Sequence, residues 1–576
     1  MKTFKFLSII SIVALMSSCS DFLDKTPHTL TPETYFNTES ELQLFLTGVY
    51  SPIMQERFYG NDYPLSIAGG DDLSFYQRST PVSGIICNNA NSSNSAITTY
   101  WRVLYDGINR ANMLLENADK NPEIPEASRN RVKAEALFLR SFYYFNLVQG
   151  WGDVPVHLSS TQSVDGLSVP RSPKQEVYNQ LIKDIVTAIP NLLPSTALPH
   201  TGAVTQSAAK GILARIYLFR AGENYRDAEV GLPLTNTEDS IKAYFTHARD
   251  WALQVKSSGI HELVKPYKKV FEDMCQDKYN STGKLESIWE AEEAGNRSNT
   301  PEQAAGRMGN TIGFGATNDY STVDAYKNLK GMFNPGYSYK FIYASLKLFE
   351  MYESEGDTAR GDWNITPYEY TYASAAPKQV TGRQYYFGKL TAPTTVDGFT
   401  YTIGTASAAN TNKTRCAAKY RRELEVVVPK NKNYTPINFP ILRYSDVLLM
   451  IAEAENELNE SPSNLAYECL DAVRTRADIM PLSGNGLTKV QFREAIKKER
   501  AMEFCFEATR RWDLIRWGDF YNVMNNMESF VSRGEWSTGL KYAAAYYKVS
   551  KAYNYYPIPD MEMSVNKAIT KNNPGW

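Results

Sequence analysis

The chain has 576 residues, 43% of them hydrophobic, so it is long enough to bury the core of one large or two modest globular units. Its formal charge of −2 lacks the basic surplus that a nucleic-acid-binding face requires, and no nucleic-acid partner is predicted. Aromatic residues are abundant, with 38 tyrosines and 9 tryptophans, and tyrosine suits a surface that binds an amphipathic ligand.

The N-terminus has the pattern of a secretory signal. Lys2 and Lys5 precede an apolar run over residues 6–16, and small residues lead to Cys19. This run is too short to cross about 30 Å of hydrocarbon, which is typical of a signal peptide rather than a membrane span. The segment ALMSSC resembles a bacterial lipobox, and that resemblance implies that residues 1–18 are removed and that Cys19 carries acyl chains. The alternative is an ordinary cleaved signal beside a coincidental cysteine.

Apolar residues that recur at three- and four-residue steps predict helices along most of the chain. The segment 173–193 shows the pattern clearly, with Pro173 near its first turn. The segment 131–152 is apolar around most of its circumference, which predicts a helix buried among others. The predicted helices cover residues 39–55, 98–119, 131–152, 173–193, 205–221, 239–257, 437–459, 463–478 and 488–516. Consecutive pairs joined by short turns indicate a mainly α fold of tetratricopeptide-like helical hairpins, although no motif recurs at a fixed period.

Two regions, 60–97 and 291–436, lack helical faces and are rich in small polar residues. Loops this long in a compact protein are usually functional or disordered. Disordered segments seldom hold so many aromatic residues, so we expect ordered surface loops. Short β-strands are predicted at 285–291 and 422–428, and Trp289 in the first of them is expected to be a core residue.

Glu499, Glu503 and Glu507 follow one another at four-residue spacing in the predicted helix 488–516, with arginines close by. Paired carboxylates can indicate glycoside hydrolysis. Carboxylates at this spacing diverge from one helix, however, whereas a glycosidase needs two that face each other across a sugar. We therefore expect structural ion pairs at these residues.

Glu455 lies on an apolar stripe of the predicted helix 437–459. A buried carboxylate needs a cation or hydrogen-bond donors, because an unpaired charge is costly to bury. Arg474 or Arg476 is the expected partner of Glu455.

Recognisable catalytic motifs are missing from the sequence, which contains no GxSxG, HExxH or GxxxxGK(S/T) pattern. Its five histidines are scattered, and the cysteines beyond Cys19 form no CxxC pair. No metal site, cofactor, dense disulfide framework or enzymatic activity is predicted. The alternative is an all-α glycoside hydrolase, which would need Asp71 opposed to Glu292 or Glu293.

Nine segments in chain order resemble the SusD/RagB family of nutrient-binding lipoproteins. They are SCSDFLDKTP, YWRVLYDGINRANMLL, AEALFLRSFYYFNLVQGWGDVP, a helix ending in NLLP, AAKGILARIYLF, PILRYSDVLLMIAEAENEL, LDAVRTRAD, KKERAMEFCFEATRRWDLIRWG and YYPIPDMEMSVNKAITKNNPGW. The resemblance implies a single domain over residues 19–576, with a helical part at about 22–260 and a loop-rich and helical part at about 261–576. About four tetratricopeptide-like helix pairs would form the scaffold, with loops and small β elements on the binding face.

The family also implies a function. Its members face the cell exterior on the bacterial outer membrane, held by a lipid anchor, and pass oligosaccharides to a SusC-like, TonB-dependent β-barrel transporter, typically in Bacteroidota. We therefore expect this chain to bind glycans for uptake, without catalysis and without a cofactor. A peptide cargo, as the RagB branch implies, stays open as an alternative.

The segments that form the ligand platform in family members imply the site residues of this chain. Glycan binding needs flat aromatic faces against the C–H groups of sugar rings, with polar neighbours for the hydroxyls. The implied residues are Asp71, Asp72, Phe75, Tyr76, Arg78, Trp101, Asn296, Arg297, Phe314, Tyr320, Phe333 and Tyr337. Tyr76 and Tyr320 have polar surroundings and are the expected surface rings. Trp101 begins a predicted helix, so it either contacts the ligand or only anchors that helix to the core.

Overall fold

The computed structural model describes most of the chain beyond its N-terminal segment. The described residues are 35–77, 83–163, 166–197, 202–278, 284–294, 306–386, 388–405, 415–531 and 544–576. The predicted signal peptide and Cys19 lie outside these ranges. Within them, no helix combines the length and the apolar character needed to cross a membrane.

Helices make up most of the regular structure, which confirms the predicted mainly α fold class. They are α1 (Glu39–Met54), α2 (Ser95–Asn117), α3 (Glu126–Trp151), α4 (Lys174–Ala188), α5 (Gln206–Ala221), α6 (Glu223–Val230), α7 (Glu238–Ser257), α8 (Lys268–Cys275), α9 (Leu346–Glu355), α10 (Thr358–Asn364), α11 (Tyr444–Leu458), α12 (Asn464–Arg476), α13 (Lys489–Phe504), α14 (Arg510–Arg516), α15 (Phe520–Asn525), α16 (Glu528–Val531) and α17 (Asp560–Val565). The predicted helices match these bounds closely, except for 437–459, which corresponds to α11, and 488–516, which corresponds to α13.

Polar side chains fix where several of the long helices begin. Thr38 and Glu41 form a reciprocal capping box at the start of α1, and Thr488 and Gln491 form another at the start of α13. The side chain of Asn94 accepts a backbone hydrogen bond at the start of α2. Helix α2 therefore begins ahead of the apolar residues from which its start was predicted.

The helices pack side by side in two runs, first α1, α2, α3 and α4, then α5, α7, α11 and α12, with α13 also against α11. Each inner helix buries one face against the helix before it and another against the next, as in tetratricopeptide-like hairpins. One hydrophobic core connects these helices, and it extends from Phe36 to Ile569. Trp151 and Trp289 are fully buried in it, which confirms the expectation for Trp289.

The strands are short and lie between the helical runs. They are β1 (Ser74–Tyr76), β2 (Val154–Pro155), β3 (Arg171–Ser172), β4 (Ser287–Ala291), β5 (Ile342–Ala344), β6 (Tyr368–Tyr372), β7 (Val380–Tyr385), β8 (Thr394–Val396), β9 (Phe399–Ile403) and β10 (Phe439–Arg443). Strand β4 confirms the strand predicted at 285–291. Strands β1 and β5 pair antiparallel, as do β4 and β10.

The predicted helix 437–459 starts too early in the sequence. Residues Phe439–Arg443 form strand β10 against β4, and α11 begins only at Tyr444. A short buried apolar run is compatible with either a strand or a helix, and here the pairing with a distant segment decides between them.

The strand predicted at 422–428 is wrong. Arg422–Leu424 forms a short 3-10 turn, in which Arg422 is fully buried and donates to backbone carbonyls of neighbouring loops. Val426, the first of the three consecutive valines, is exposed instead. A buried guanidinium rather than the valines therefore determines the conformation of this segment.

The predicted helix 488–516 is interrupted after Phe504. Phe506 and Ala508 have φ angles of 63° and 58°, in the left-handed region, and the chain turns there before α14 begins. Neither residue is a glycine or an asparagine, so the sequence gives no local signal for the break.

The glutamates at four-residue spacing form a buried ionic network, which confirms that they are structural ion pairs. Glu499 pairs with Arg360 at 2.6 Å, and Glu503 pairs with Arg443 at 2.9 Å and with Arg476. Burial alone would raise the pKa of Glu503, but the surrounding guanidinium groups hold that pKa well below its ordinary range. The network ties α10, α12 and the end of β10 to α13.

The expected partner of Glu455 is wrong, since Arg474 and Arg476 both belong to the buried network. Glu455 accepts a hydrogen bond from Ser463 at 2.6 Å and lies 3.4 Å from the guanidinium of Arg249. Arg249 comes from α7, which packs directly against α11, and this neighbour was not evident from sequence spacing.

The described residues between 306 and 435, here called the loop module, fold around a four-stranded sheet of order β6-β7-β9-β8. Strands β7 and β9 run parallel, and the other neighbours run antiparallel. The module has a small core of its own that includes Phe314, Tyr320, Tyr368, Tyr370 and Phe399. Much of the aromatic content of this region therefore supports its own fold.

Candidate functional site

Four aromatic rings, three from the loop module and one from β1, form a continuous row. Tyr337, Tyr339 and Phe341 come from the segment before β5, and Tyr76 comes from β1. The ring centres of Tyr76 and Phe341 are 5.3 Å apart, those of Phe341 and Tyr339 are 5.0 Å apart, and those of Tyr339 and Tyr337 are 4.9 Å apart. We call these four residues the aromatic row.

The four residues of the aromatic row are partly exposed to solvent. Tyr339 is 38% exposed, and Tyr76, Tyr337 and Phe341 are half-buried. The rings of Tyr339 and Phe341 are stacked nearly parallel, with an interplanar angle of 15°. Lys340 between them has a φ of 50°, in the left-handed region, a conformation that is often found at binding sites.

Polar and charged side chains border the aromatic row. The hydroxyl of Tyr339 donates to Asn433 Oδ1 at 3.3 Å. The ammonium of Lys432 lies 5.1 Å from the ring centre of Tyr337 and 3.4 Å from a carboxylate oxygen of Asp319. An amphipathic ligand would therefore meet apolar ring faces with hydrogen-bonding groups beside them.

The charges of Asp319 and Lys432 are favoured at neutral pH. Burial alone would raise the pKa of Asp319, but hydrogen bonds from Ser321 and Lys432 bring it below its ordinary value. The hydrogen bond to Asp319 in turn raises the pKa of Lys432. Both side chains are thus ionised when a ligand approaches the aromatic row.

Arg422 holds together the two segments that carry the site. Its guanidinium donates to the carbonyls of Tyr337 at 2.5 Å, Lys432 at 2.9 Å and Asn431 at 2.8 Å. Its charge is compensated by Glu425 at 2.6 Å. The buried arginine therefore fixes the backbone beneath the aromatic row, which limits the entropy that a ligand must remove on binding.

Gly336 permits this close approach of the loop to Arg422. Its φ is 75°, a conformation that glycine adopts at little cost. A Cβ atom at this position would lie 2.9 Å from Arg422 Cβ and 3.0 Å from Arg422 Nε. Any larger residue would therefore push Tyr337 away from its anchor.

The two aspartates expected in the site are buried away from solvent. Asp72 is fully buried and pairs with Arg510 at 2.8 Å and with Lys347 at 2.6 Å. Asp71 is 8% exposed and accepts hydrogen bonds from the backbone of Leu73 and the side chain of Ser74. Burial of both side chains contradicts the expectation that they face a ligand.

Three of the expected aromatic rings are core residues of their segments. Phe75 is 2% exposed, Phe314 is fully buried, and Tyr320 is 2% exposed with its hydroxyl donating to the carbonyl of Lys378 at 2.8 Å. Tyr320 was expected at the surface, and that expectation is wrong. Its polar sequence neighbours conceal a position in the core of the loop module.

Trp101 anchors its helix, which is the second of the two roles expected for it. The side chain is 3% exposed, and its indole N–H donates to Glu562 at 3.2 Å. Its ring packs edge-on against Trp151, with 5.0 Å between ring centres. Such a buried indole joins α2 to α17 and offers no face to a ligand.

Tyr76 and Tyr337 are the expected site residues that the fold brings into the aromatic row. Phe333 is 45% exposed but packs against Phe399, at 4.8 Å between ring centres, outside the row. Arg78, Asn296 and Arg297 lie outside the described residues. Sequence reasoning missed Tyr339, Phe341, Lys432 and Asn433. The alternating aromatics of YSYKF, residues 337–341, were the available signal for the first two.

Comparison with protein families gives two matches that together cover most of the chain. A model described as the SusD family matches residues 285–576. A second model, described as starch-binding and associating with the outer membrane, matches residues 21–218.

Similar proteins and solved structures agree with these matches. SusD-like protein P25 and SusD-like protein P2 of Formosa agariphila are each 25% identical to this chain, over 100% of it and over 99% and 100% of their own lengths. The crystal structure of a SusD homolog from Bacteroides thetaiotaomicron has a TM-score of 0.75 at 25% identity, covering 95% of this chain and 98% of that one. A laminarin-binding SusD-like protein has a TM-score of 0.64 at 21% identity, covering 94% and 100%. With a family model that matches half of its length, the chain belongs to the SusD family.

Proposed function

We propose that the protein is a non-catalytic cell-surface lipoprotein that captures oligosaccharides on the aromatic row and delivers them to a SusC-like, TonB-dependent transporter of the outer membrane. The observation that carries this proposal is the row itself, in which the partly exposed rings of Tyr76, Tyr337, Tyr339 and Phe341 contact one another beside polar groups.

The row suits the chemistry of a sugar chain. One face of a sugar ring is lined with C–H groups and packs on an aromatic face, while its hydroxyls need donors and acceptors around the edge. Lys432, Asp319 and Asn433 provide such groups next to the rings. Each stacked ring contributes on the order of 1 kcal/mol, so several rings in a row would hold an oligosaccharide better than a single sugar.

Related proteins support a glycan as the cargo. One solved structure of the same fold is called a laminarin-binding SusD-like protein, and another is called surface glycan-binding protein A from Bacteroides thetaiotaomicron. These names describe those proteins. For this chain they favour glycan over peptide as the ligand class to test first.

The N-terminal sequence and the family description support the proposed location. Residues 1–18 have the charge and apolar length of a signal peptide, and Cys19 follows a segment that resembles a lipobox. One of the matching family models is described as associating with the outer membrane. A lipid anchor at that membrane, facing the cell exterior, would hold the binding face beside a transporter.

The alternative of a glycoside hydrolase finds little support among the described residues. Asp71 is 8% exposed and Glu293 is 5% exposed. The carboxylate of Glu292 accepts a hydrogen bond from the backbone of Gly202 at 3.0 Å. A hydrolase needs two carboxyl groups that a sugar can reach from opposite sides, and burial denies that access to Asp71 and Glu293.

A glycan array probed with the purified full chain tests the proposal, with a peptide library probed in parallel. We expect binding to at least one class of oligosaccharide and no binding to peptides. Incubation with labelled oligosaccharides that bind should release no shorter products on chromatography. A silent glycan array beside a positive peptide library would replace the glycan cargo with a peptide, and release of shorter products would overturn the non-catalytic role.

A further inference from the structure

A second concave site lies on the helical scaffold, apart from the aromatic row. It is a groove of about 190 Å³ between α2, residues 155–163 and 166–169, and the C-terminal helix α17. Among the described residues, its lining shares none with the aromatic row or with the loop module. The groove is therefore separate from the aromatic row.

One wall of the groove is fixed by side chains of α2 that bind the backbone of residues 155–159. Tyr105 donates to the carbonyl of Pro155 at 2.8 Å. Asn112 donates to the carbonyls of His157 and Ser159, each at 3.0 Å. The groove is thus preformed on this side and needs no rearrangement to accept a ligand.

The opposite wall is held in a similar way. Glu562 accepts hydrogen bonds from the indole of Trp101 at 3.2 Å and from Asn566 at 3.1 Å. Asn566 also donates to the carbonyl of Val169 at 2.9 Å. These bonds set the orientation of the Glu562 carboxylate and the position of the neighbouring Val565, which lines the groove.

Three polar groups that line the groove have no hydrogen-bond partner among the residues that the structure describes. They are the side-chain amide nitrogen of Asn109, the hydroxyl of Thr161 and the imidazole nitrogens of His157. The other end of the Asn109 amide accepts from the backbone of Thr161 at 2.8 Å, so its nitrogen has a defined direction. The His157 ring lies edge-on to the ring of Tyr105, with 5.9 Å between centres.

The charges around the groove indicate which ligands it accepts. Among the described residues that line the groove there is neither lysine nor arginine, and Glu562 contributes a carboxylate, so these groups disfavour anions. Burial lowers the pKa of His157, which is therefore neutral at pH 7 and offers one donor and one acceptor. Tyr105 and Val565 supply apolar surface beside these groups.

We propose that this groove binds a single neutral sugar unit, as a second saccharide site that is independent of the aromatic row. Its volume is below the range of about 300–1,000 Å³ that holds drug-sized ligands, so one ring fills it. The hydroxyls of the sugar bind Asn109, Thr161 and His157, and its C–H face packs on Tyr105 and Val565. The proposal rests on the proposed function only for the choice of sugars as the ligand class.

Saturation-transfer NMR with the purified full chain tests the groove, with the methyl glycosides of glucose, galactose and mannose as probes. Each titration is run on the wild-type chain and on a Tyr339→Ala chain, which removes a ring of the aromatic row. We expect at least one probe to bind, with the same dissociation constant in both chains. Loss of all binding in the Tyr339→Ala chain would assign the signal to the aromatic row and overturn the groove site.

Variants in the groove sharpen the test. Thr161→Val removes one hydrogen-bonding group without loss of volume and should weaken binding about fivefold. Asn109→Asp keeps the acceptor for the backbone of Thr161 but removes the free donor, and should weaken binding similarly. Val565→Trp should fill the groove and abolish binding. Because Val565 is 56% exposed, the larger side chain should not prevent folding.

The matched control is Thr187→Val, an exposed threonine on α4 that does not line the groove. It should leave the dissociation constant unchanged. Failure of all three glycosides to bind, or wild-type affinity in the Val565→Trp chain, would overturn the proposal. The proposed function would be unaffected by either result, because it depends on oligosaccharide binding at the aromatic row.

Discussion

Tyr339 shows how a ring becomes available to a ligand in a chain that contains 38 tyrosines. Many of the other tyrosines are buried and use their hydroxyls inside the protein, as Tyr320 does with the carbonyl of Lys378. Tyr339 keeps 38% of its surface exposed while its ring stacks on Phe341 and its hydroxyl reaches Asn433. Support from both neighbours holds the ring in place without covering it.

Asp71 gives a pH-dependent prediction at the same scale. Burial, together with the charge of Asp72, raises its pKa to about 6. The unfolded group titrates near about 3.9, so its contribution to stability is fully present below that pH and is lost as the pH rises through about 6. The variant Asp71→Asn keeps an acceptor for Leu73 and Ser74. We predict that its free energy of unfolding rises relative to that of the wild type by about 2–3 kcal/mol between pH 4 and pH 7.

The measurement is urea-induced unfolding of both chains at pH 4, 5, 6 and 7. The free energy of unfolding of the variant should rise relative to that of the wild type across this window. Parallel pH profiles for the two chains would show that the Asp71 carboxyl is not perturbed in the folded state.

Glu503 gives a second prediction, on stability. It is fully buried and pairs with Arg443 and Arg476, among other cations. Glu503→Gln leaves these guanidinium groups without their shared counter-charge, and we expect a loss of about 3–5 kcal/mol in the free energy of unfolding. Asp324→Asn, which breaks the exposed pair with Lys327, is the control and should cause no measurable change. Equal stability of the two variants would contradict a stabilising role for the network.

At the scale of elements, the helices were the part of the fold that the sequence predicted best. Amphipathic spacing identified α1 to α5, α7 and α12, since one buried face repeats every three to four residues. It failed where a distant partner decides the structure. Residues 439–443 form a strand because β4 lies beside them, and residues 422–424 turn because a guanidinium binds the carbonyls around it.

The site was harder to predict for the same physical reason. Loops have no period, so sequence alone does not separate rings that face solvent from rings that build the loop module. Tyr76 and Tyr337 were predicted as ligand-binding residues and lie together in the aromatic row, whereas Phe75, Phe314 and Tyr320 proved to be core residues. An aromatic residue in a polar loop is thus weak evidence of exposure when the loop has its own core.

Gly336 provides the prediction at this scale. Gly336→Ala forces a Cβ atom to within 3 Å of Arg422 and should displace the segment that carries Tyr337, with weaker oligosaccharide binding and a loss of about 2 kcal/mol in stability. Gly398→Ala is the matched control, because Gly398 also has a positive φ of 80° but has nothing within 4 Å of its added Cβ. It should show backbone strain alone and unchanged binding. Calorimetric titration and thermal unfolding separate the two effects, and equal affinities in both variants would contradict the anchoring role of Arg422.

At the scale of the whole molecule, the packed helices, the buried ionic network and the loop module form a support for a small binding face. The network joins α10 of the loop module to α13 of the scaffold through Arg360 and Glu499. The aromatic row thus stands on a base that charged pairs and a shared core hold in place.

Membrane attachment is the prediction that concerns the whole chain. Acyl chains contribute about 0.8 kcal/mol per buried CH₂, so lipidation at Cys19 should keep the protein in the membrane fraction. Cys19→Ala should release it into the soluble fraction after cell lysis. Cys469→Ala, which removes a buried thiol, is the control and should stay with the membrane. Retention of the Cys19→Ala chain in the membrane fraction would contradict the lipid anchor.

The affinity of the full chain for an oligosaccharide selected from the glycan array, measured by isothermal titration calorimetry with and without Tyr339→Ala, tests the role of the aromatic row most directly. Loss of one stacked ring should weaken binding about fivefold or more, while Tyr225→Ala, at a tyrosine that is 60% exposed outside the row, should leave it unchanged. Both variants should unfold at the temperature of the wild type. Equal affinities for wild type and Tyr339→Ala would contradict the assignment of the aromatic row as the binding site.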